Sequence, residues 1–319
     1  MTWKNKKVLV TGADGFIASH LTEKLINLNA KVCVVIRGTS INGTHKNTFK
    51  NIEKKYISKI NKIISCDISS PDVINHIINF KPDYIFHLAA SAYVPYSFDH
   101  PIEVNQANVL GTLNVLEATR QLKKIKKVIC TSSSEVYGTA LTKSISEKHP
   151  LNPTSPYAAS KVAADRYCFS YIKTYNLPIT IIRPFNTYGP RHTYDVVPKF
   201  IKMALNNEPI TIHGDGNQSR DLTYVSDAVD AFLKVGMSKK TLKKVVNFGT
   251  GKHQKIIFLA KKIKQLSKSK SKIIFIPARK AEVERLTCDA SLCKKLTGWN
   301  PKVDIITGLK KNIEWEQKK

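Results

Sequence analysis

The opening twenty-one residues constrain this chain more than any other stretch. A β-branched run, "KKVLVT" (6–11), leads straight into "TGADGFIASHL" (11–21), where Gly12 and Gly15 permit a tight turn that opens a helical pattern. A strand, a glycine turn and a helix in that order form the first half of a βαβ unit. Five further strand-like runs follow: "KVCVVI" (31–36), "NKIIS" (61–65), "DYIFHL" (83–88), "KKVIC" (126–130) and "PITIIRP" (178–184). Helical patterns lie between them, around 15–28, 71–80, 101–122 and 156–175. This alternation predicts an α/β fold, a Rossmann-like doubly wound parallel sheet with right-handed crossovers. After residue 185 the elements shorten and Pro and Gly become frequent. The expected division is a dinucleotide-binding domain over 1–185, with a return segment near 222–250. A smaller C-terminal substrate-binding lobe over 186–319 sits at the carboxyl ends of the strands, where open α/β sheets bind ligands.

Composition removes several classes. With 319 residues the chain can bury a sizeable core, and no apolar stretch is long enough to span a membrane. Its N-terminus enters a strand directly, so no signal peptide and a cytoplasmic location are expected. The six cysteines (33, 66, 130, 168, 288, 293) form no C-x-x-C pair and read as buried free thiols. A formal net charge of +27 raises nucleic acid as a partner, but of 51 basic residues only eight are arginine. The lysines lie in surface-like runs without interleaved aromatics, which is not the pattern of a nucleic-acid reader. No H-x-x-x-H or His/Cys cluster occurs, so no catalytic metal is expected. His87, at a strand end, reads as a satisfied core residue; His192 reads as either sugar-pocket or surface-loop.

Four constellations carry chemistry. The glycine turn has the spacing G-x-x-G-x-x-A, with Ala18 in the small-residue position, and suits a pyrophosphate resting on a helix N-terminus. At the end of the second strand, "VVIRGTS" offers Arg37, Thr39 and Ser40 and no acid, which favours a 2′-phosphate and hence NADP over NAD. Tyr157 and Lys161 in "SPYAASK" stand one helical turn apart, where an ammonium favours the phenolate of a tyrosine base. Upstream, "TSSSEVYG" (131–138) places Glu135 at a buried strand exit, where a carboxylate is either paired structurally or at work.

Together "TGADGFIASHL", "HLAA" (87–90), "NVLGT" (108–112), "SSSEVYG", "SPYAASK", "RPFNTYGPR" (183–191), "GDGNQSRDLTYVSDAV" (214–229) and "AEVERLTCDASLCKKLTGWNPK" (281–302) resemble the extended short-chain dehydrogenase/reductase family. More narrowly, they resemble nucleotide-sugar 4,6-dehydratases and epimerases, over nearly the whole chain. The resemblance implies that Ser133 holds the sugar 4-oxygen, Tyr157 takes the 4-hydroxyl proton and Lys161 binds the nicotinamide ribose. Glu135 would remove the carbon-5 proton so that the carbon-6 hydroxyl leaves as water, giving a 4-keto-6-deoxy sugar. Ser134 stands where dTDP-glucose dehydratases carry an aspartic acid. GDP-mannose-type and legionaminic-acid-type N-acetylglucosamine dehydratases share the Ser-Glu pair. So do UDP-glucuronate decarboxylases, which usually add an arginine before the tyrosine; "NPTSPY" has none.

The same resemblance assigns a tightly bound, recycled dinucleotide to Gly12, Asp14, Gly15, Phe16, Ile17, Arg37, Asp67, Ile68, Leu88, Ala89, Ala90, Asn108 and Pro184, besides Tyr157 and Lys161. It assigns the nucleotide-diphosphate sugar to Tyr93, Asn186, Arg191, Val197, Lys199, Arg220, Arg279 and Arg285, with "VVPKFIKMALNN" (196–207) near the base. A homodimer through the helices near 101–122 and 156–175 is implied as well. The remaining readings are a decarboxylase, a 4-epimerase, or a non-catalytic NAD(P)H-sensing protein.

Overall fold

The computed structural model describes residues 2–37, 39–41, 44–46, 49–279 and 282–319, the second and third of these segments as backbone alone. Seven strands form the central sheet: β1 (Lys7–Thr11), β2 (Lys31–Ile36), β3 (Lys62–Ser65), β4 (Tyr84–His87), β5 (Lys127–Thr131), β6 (Ile179–Pro184) and β7 (Val245–Phe248). Their order is β7-β6-β5-β4-β1-β2-β3, all parallel. Six strands fall within a residue of their sequence-based bounds, because each is a short apolar run, and all but the edge strand β3 are largely buried. The seventh, "VVNF", was visible only as part of the return segment.

The order reverses between β1 and β4, which opens a crevice at the carboxyl end of the sheet. Helices α1 (Phe16–Asn27), α2 (Asp72–Phe80) and α4 (Pro156–Tyr175) match the expected patterns. The pattern at 101–122 is less regular: Pro101–Asn105, a π-helical turn Gln106–Leu110, then α3 (Gly111–Gln121). Ser155 caps α4 by accepting from the Ala158 N–H at 3.1 Å, with Pro156 preset in the first turn. Two apolar clusters cover the faces of the sheet, one including Leu21, Leu25, Phe86 and Phe232, the other Ile77, Ile85, Val115 and Ile179.

A third cluster joins α5 (Val196–Leu205), α7 (Ile256–Leu266) and α8 (Ile305–Gln317), while α6 (Val225–Met237) returns to the sheet beside α1. Short strand pairs complete this half, such as Ile210–His213 with Ile273–Ile276 and Ser219–Asp221 with His253–Lys255. Arg183 on β6 and Asp165 on α4 form a fully buried ion pair, with two hydrogen bonds of 2.8 and 2.9 Å. Arg183 also donates to the Tyr137 hydroxyl at 2.8 Å, which donates in turn to Asn247 at 2.7 Å. This chain of bonds locks "SSSEVYG" to β6 and β7. Among the described residues no helix is long and apolar enough to cross a membrane. Five of the six cysteines are buried and Cys66 is half-buried.

Candidate active site

A cleft of about 800 Å³ lies at the carboxyl ends of the strands, between the sheet and α5. Its floor is the first turn. Gly12 has φ +65°, and a Cβ there would sit 2.7 Å from the Ala89 Cα, so main chain packs on main chain. The Gly15 N–H donates to the Gly12 carbonyl at 2.8 Å, and Gly15 precedes α1 with no side chain capping the first turn. That leaves N–H groups and the helix dipole facing the cleft, a fit for a dinucleotide diphosphate. Gly12, Asp14, Gly15, Phe16, Ile17, Arg37, Leu88, Ala89, Ala90 and Pro184 all line it.

Four residues expected at the dinucleotide make contacts of their own here. Asp14 borders the cleft, but its carboxylate accepts from the N–H groups of Lys50, Asn51 and Ile52 at 2.8–3.2 Å, anchoring that loop. Asn108 lies outside the lining: its amide bonds both main-chain groups of Ser91 and the Ser160 hydroxyl, tying the β4 exit to α4. Ile68 is buried in the core against Gly111. Asp67, also outside the lining, bonds Ser69; burial works against its charge, but those bonds and Arg37 hold its carboxyl below the usual range. The side chains of Thr39 and Ser40 lie outside the described residues.

The reactive wall comes from β5 and α4. Ser133 begins the 3₁₀ turn Ser134–Tyr137 and accepts from the Glu135 N–H at 3.1 Å. Gly138 ends the turn with φ +65°, where a Cβ would meet the Asn152 carbonyl at 2.3 Å. Burial pushes the Tyr157 phenol up to about 12, and a hydrogen bond with Ser133 draws it down. Lys161 was expected to favour the phenolate, yet its amine turns to the Thr131 carbonyl at 2.5 Å, and burial lowers it to about 8. The groups acting on Tyr157 are Ser133, Glu135 and Asp195. Glu135 is half-buried, and its carboxyl is raised by burial, lowered by Arg220, and raised by Asp195 and Glu282. Ser134, Glu135, Tyr157 and Lys161 all face the cleft.

The opposite wall is assembled from distant segments. On α5 the residues Val196, Lys199, Phe200 and Met203 line the cleft at helical spacing. Val197, one step round that helix, is buried in the third cluster instead. Lys199 donates to the Tyr93 hydroxyl at 3.0 Å. Arg220 lines the cleft and donates to Glu282 and the Val283 carbonyl, each at 2.6 Å. Arg279 is exposed at the rim. Asn186 lines the cleft with its buried Oδ1 unpartnered.

Two arginines are elsewhere. Arg285 is held by the Thr142 and Ala140 carbonyls at 2.9 and 3.4 Å. Arg191 sits behind α1, bound to Glu23, Glu53 and Ser19, because those carboxylates offer a closer match than the open cleft. His192 is a pocket residue, 5% exposed and stacked on Phe16 with centroids 4.4 Å apart. His87 is the buried core residue expected, between the Thr11 and Thr112 hydroxyls, with burial lowering it to about 3. Sequence reasoning missed Asp195 and Glu282. Asp195 immediately precedes an amphipathic helix, and that position was its only signal.

Comparison with known proteins places the chain. Residues 9–312 match the family described as GDP-mannose 4,6 dehydratase. Human dTDP-D-glucose 4,6-dehydratase is 35% identical over 97% of this chain and 89% of its own length. An Arabidopsis thaliana trifunctional UDP-glucose 4,6-dehydratase/epimerase/reductase is 34% identical over 98% of this chain, which spans only 47% of that protein. A Bacillus cytotoxicus UDP-N-acetyl-alpha-D-glucosaminuronate decarboxylase is also 34% identical, over 97% of both chains. Among solved structures, Pal from Bacillus thuringiensis superposes with a TM-score of 0.90 at 33% identity, covering 98% of this chain and 99% of its own. The Bacillus cereus UDP-glucuronic acid 4-epimerase, solved with its substrate and NAD, gives 0.88 at 30% identity, covering 98% and 99%.

Proposed function

This chain belongs to the GDP-mannose 4,6 dehydratase family of short-chain-dehydrogenase-like nucleotide-sugar enzymes, and from that premise we propose that it is a nucleotide-sugar 4,6-dehydratase. Glu135 is the observation that carries the reading. A carboxyl raised by burial, within electrostatic reach of Tyr157 and balanced by Arg220, is suited to take a weakly acidic proton near neutral pH. A simple 4-epimerase gives such a group no task.

In this reading Ser133 holds the sugar 4-oxygen and Tyr157, as phenolate, takes the 4-hydroxyl proton. A nicotinamide dinucleotide held along the Gly12–Ile17 turn would supply the redox chemistry, reversible hydride transfer with the sugar. Lys161 holds the ribose side and Pro184 closes the floor. The ketone at carbon 4 acidifies the carbon-5 proton, and Glu135 removes it as the carbon-6 hydroxyl departs as water. Ser134 offers that leaving group a hydroxyl rather than a carboxyl. Arg220, Arg279 and Lys199 face the substrate diphosphate. The expected NADP preference rests on Arg37 alone, since the Bacillus cereus relative carries NAD.

The 34% identity to a decarboxylase favours a second reading, release of carbon dioxide from a uronate. Against it, "NPTSPY" brings no cation to Tyr157. The division into a dinucleotide unit (1–185, with a return near 222–250) and a substrate lobe belongs to the same proposal. A homodimer does too, supported by exposed Phe98, Ile102, Leu110, Tyr167 and Phe169 on the helices before and within α4. Mass spectrometry of products from a panel of nucleotide sugars tests the reaction: loss of one water is expected. Release of carbon dioxide, or an isomer of unchanged mass, would overturn it.

A further inference from the structure

The segment 190–196 runs along the outer face of α1 and then becomes the substrate wall. The Pro190 carbonyl accepts from His20 Nε2 at 3.1 Å, Arg191 donates to Ser19 and Glu23 at 3.2 and 3.0 Å, and His192 stacks on Phe16. Phe16, Ser19, His20 and Glu23 lie on one side of the first two turns of the helix whose N-terminus faces the dinucleotide cleft. Arg191 reaches further, to Glu53 at 3.2 Å. Glu23 also accepts the Glu53 N–H at 2.9 Å, and Asp14 holds the adjoining loop at residues 50–52. Four residues after Arg191 the chain enters Asp195 and α5, whose Val196, Lys199, Phe200 and Met203 face the cleft.

The backbone here is held, not relaxed. Arg191 and Asp195 have φ of +72° and +73°, values that side-chain-bearing residues adopt only when their surroundings compel it. The two carboxylates on Arg191 and the Phe16–His192 stack are those surroundings. Arg191 is 10% exposed at its side chain, as is Glu23, so the pair is shielded from salt in a way surface pairs are not.

We propose that Arg191 is a positioning residue which couples the two halves of the cleft, so that filling the dinucleotide site raises the affinity of the substrate site. Ordering the Gly12–Phe16 turn fixes the first turns of α1. Through Glu23 and Arg191 this fixes the start of α5, and with it the wall that contacts the nucleotide. By linkage the effect is reciprocal: nucleotide in the substrate site tightens the dinucleotide by the same factor. The inference concerns binding and holds whichever reaction follows.

The test is calorimetric titration of the full chain, dinucleotide-free and loaded with NAD or NADP, with UDP, GDP and dTDP as probes. In the unaltered protein the best-binding probe should bind about tenfold more tightly to the loaded form. Arg191→Gln should bring that ratio close to one. Glu53→Gln, at a half-exposed position that leaves Glu23 in place, should reduce it partway and protects the test against a misfolded Arg191 variant. A role in stability alone would lower the unfolding temperature of Arg191→Gln and leave the ratio intact. An unchanged ratio in both variants, or no effect of dinucleotide in the unaltered protein, overturns the proposal. Failure of the dehydratase reading would appear separately, as a different product with the coupling preserved.

Discussion

The two walls of the cleft are built in opposite ways. On the sheet side, Ser133, Glu135, Tyr157 and Lys161 come from one strand exit and one helix, and their spacing is set by local geometry. Behind them the Arg183–Asp165 pair, Tyr137 and Asn247 form a closed polar network with no exposure. On the α5 side, the lining comes from residues 186, 192, 194–196, 199, 200, 202, 203, 220, 279 and 282, brought together only by the fold. Two of its cations already have partners: Arg220 on Glu282, Lys199 on Tyr93. A wall made of neighbouring residues places reacting atoms; a wall made of distant ones, with exchangeable ion pairs, is suited to fitting a substrate.

Breaking the first wall should therefore abolish chemistry and breaking the second should tune it. The largest effect is expected for Tyr157→Phe, which removes the phenol bonded to Ser133 and should cut turnover by about 10³–10⁴-fold. No reduced nicotinamide absorbance should appear in single-turnover mixtures. Next comes Arg183→Met, which strands Asp165 without its buried partner and should cost about 3–5 kcal/mol of stability in urea unfolding. A loss below 1 kcal/mol would mean that the network behind the wall is dispensable.

Glu135→Gln should slow water loss by about 10²–10³-fold while nucleotide binding persists, measured by product mass and by calorimetry. A milder change separates the walls directly. Arg220 draws the Glu135 carboxyl down, so Arg220→Gln should let it rise. Because the base works ionised, the acid limb of the rate–pH profile should move to higher pH. An unmoved limb would show that the α5 side does not reach the base. Smallest is Arg37→Asp, which should weaken NADP more than NAD in fluorescence titrations; equal weakening would remove the remaining support for NADP.

What the sequence revealed follows the same divide. The strands, the glycine turn and the Ser133–Tyr157–Lys161 set were legible because periodicity and one-turn spacing are local properties. Val197 and Met203 show the limit. Both sit in the same apolar helix pattern, and only packing against α7 and α8 decides that Val197 turns inward while Met203 lines the cleft. Arg191 and Arg285 were read as substrate ligands from their places in motifs. The carboxylates and carbonyls that claim them lie more than a hundred residues away in sequence. Asn108 was expected at the dinucleotide, whereas its amide braces the β4 exit against α4 through Ser91 and Ser160, contacts that its motif does not announce. Lys161 was placed correctly on the helix, yet its amine's choice of the Thr131 carbonyl depends on a strand end that helical spacing does not specify.

The contact between Gly12 and Ala89 reaches beyond this one chain. Because the floor of the dinucleotide channel is main chain against main chain, no substitution can widen it and any Cβ at Gly12 would collide. The channel's bore is therefore a fixed dimension, while Arg37 at the end of β2 lines the cleft through its side chain and Asp67 is held beside it by Ser69. A library meant to exchange one dinucleotide for another should leave the floor untouched and diversify those two positions, where cofactor choice can drift without disturbing the fold.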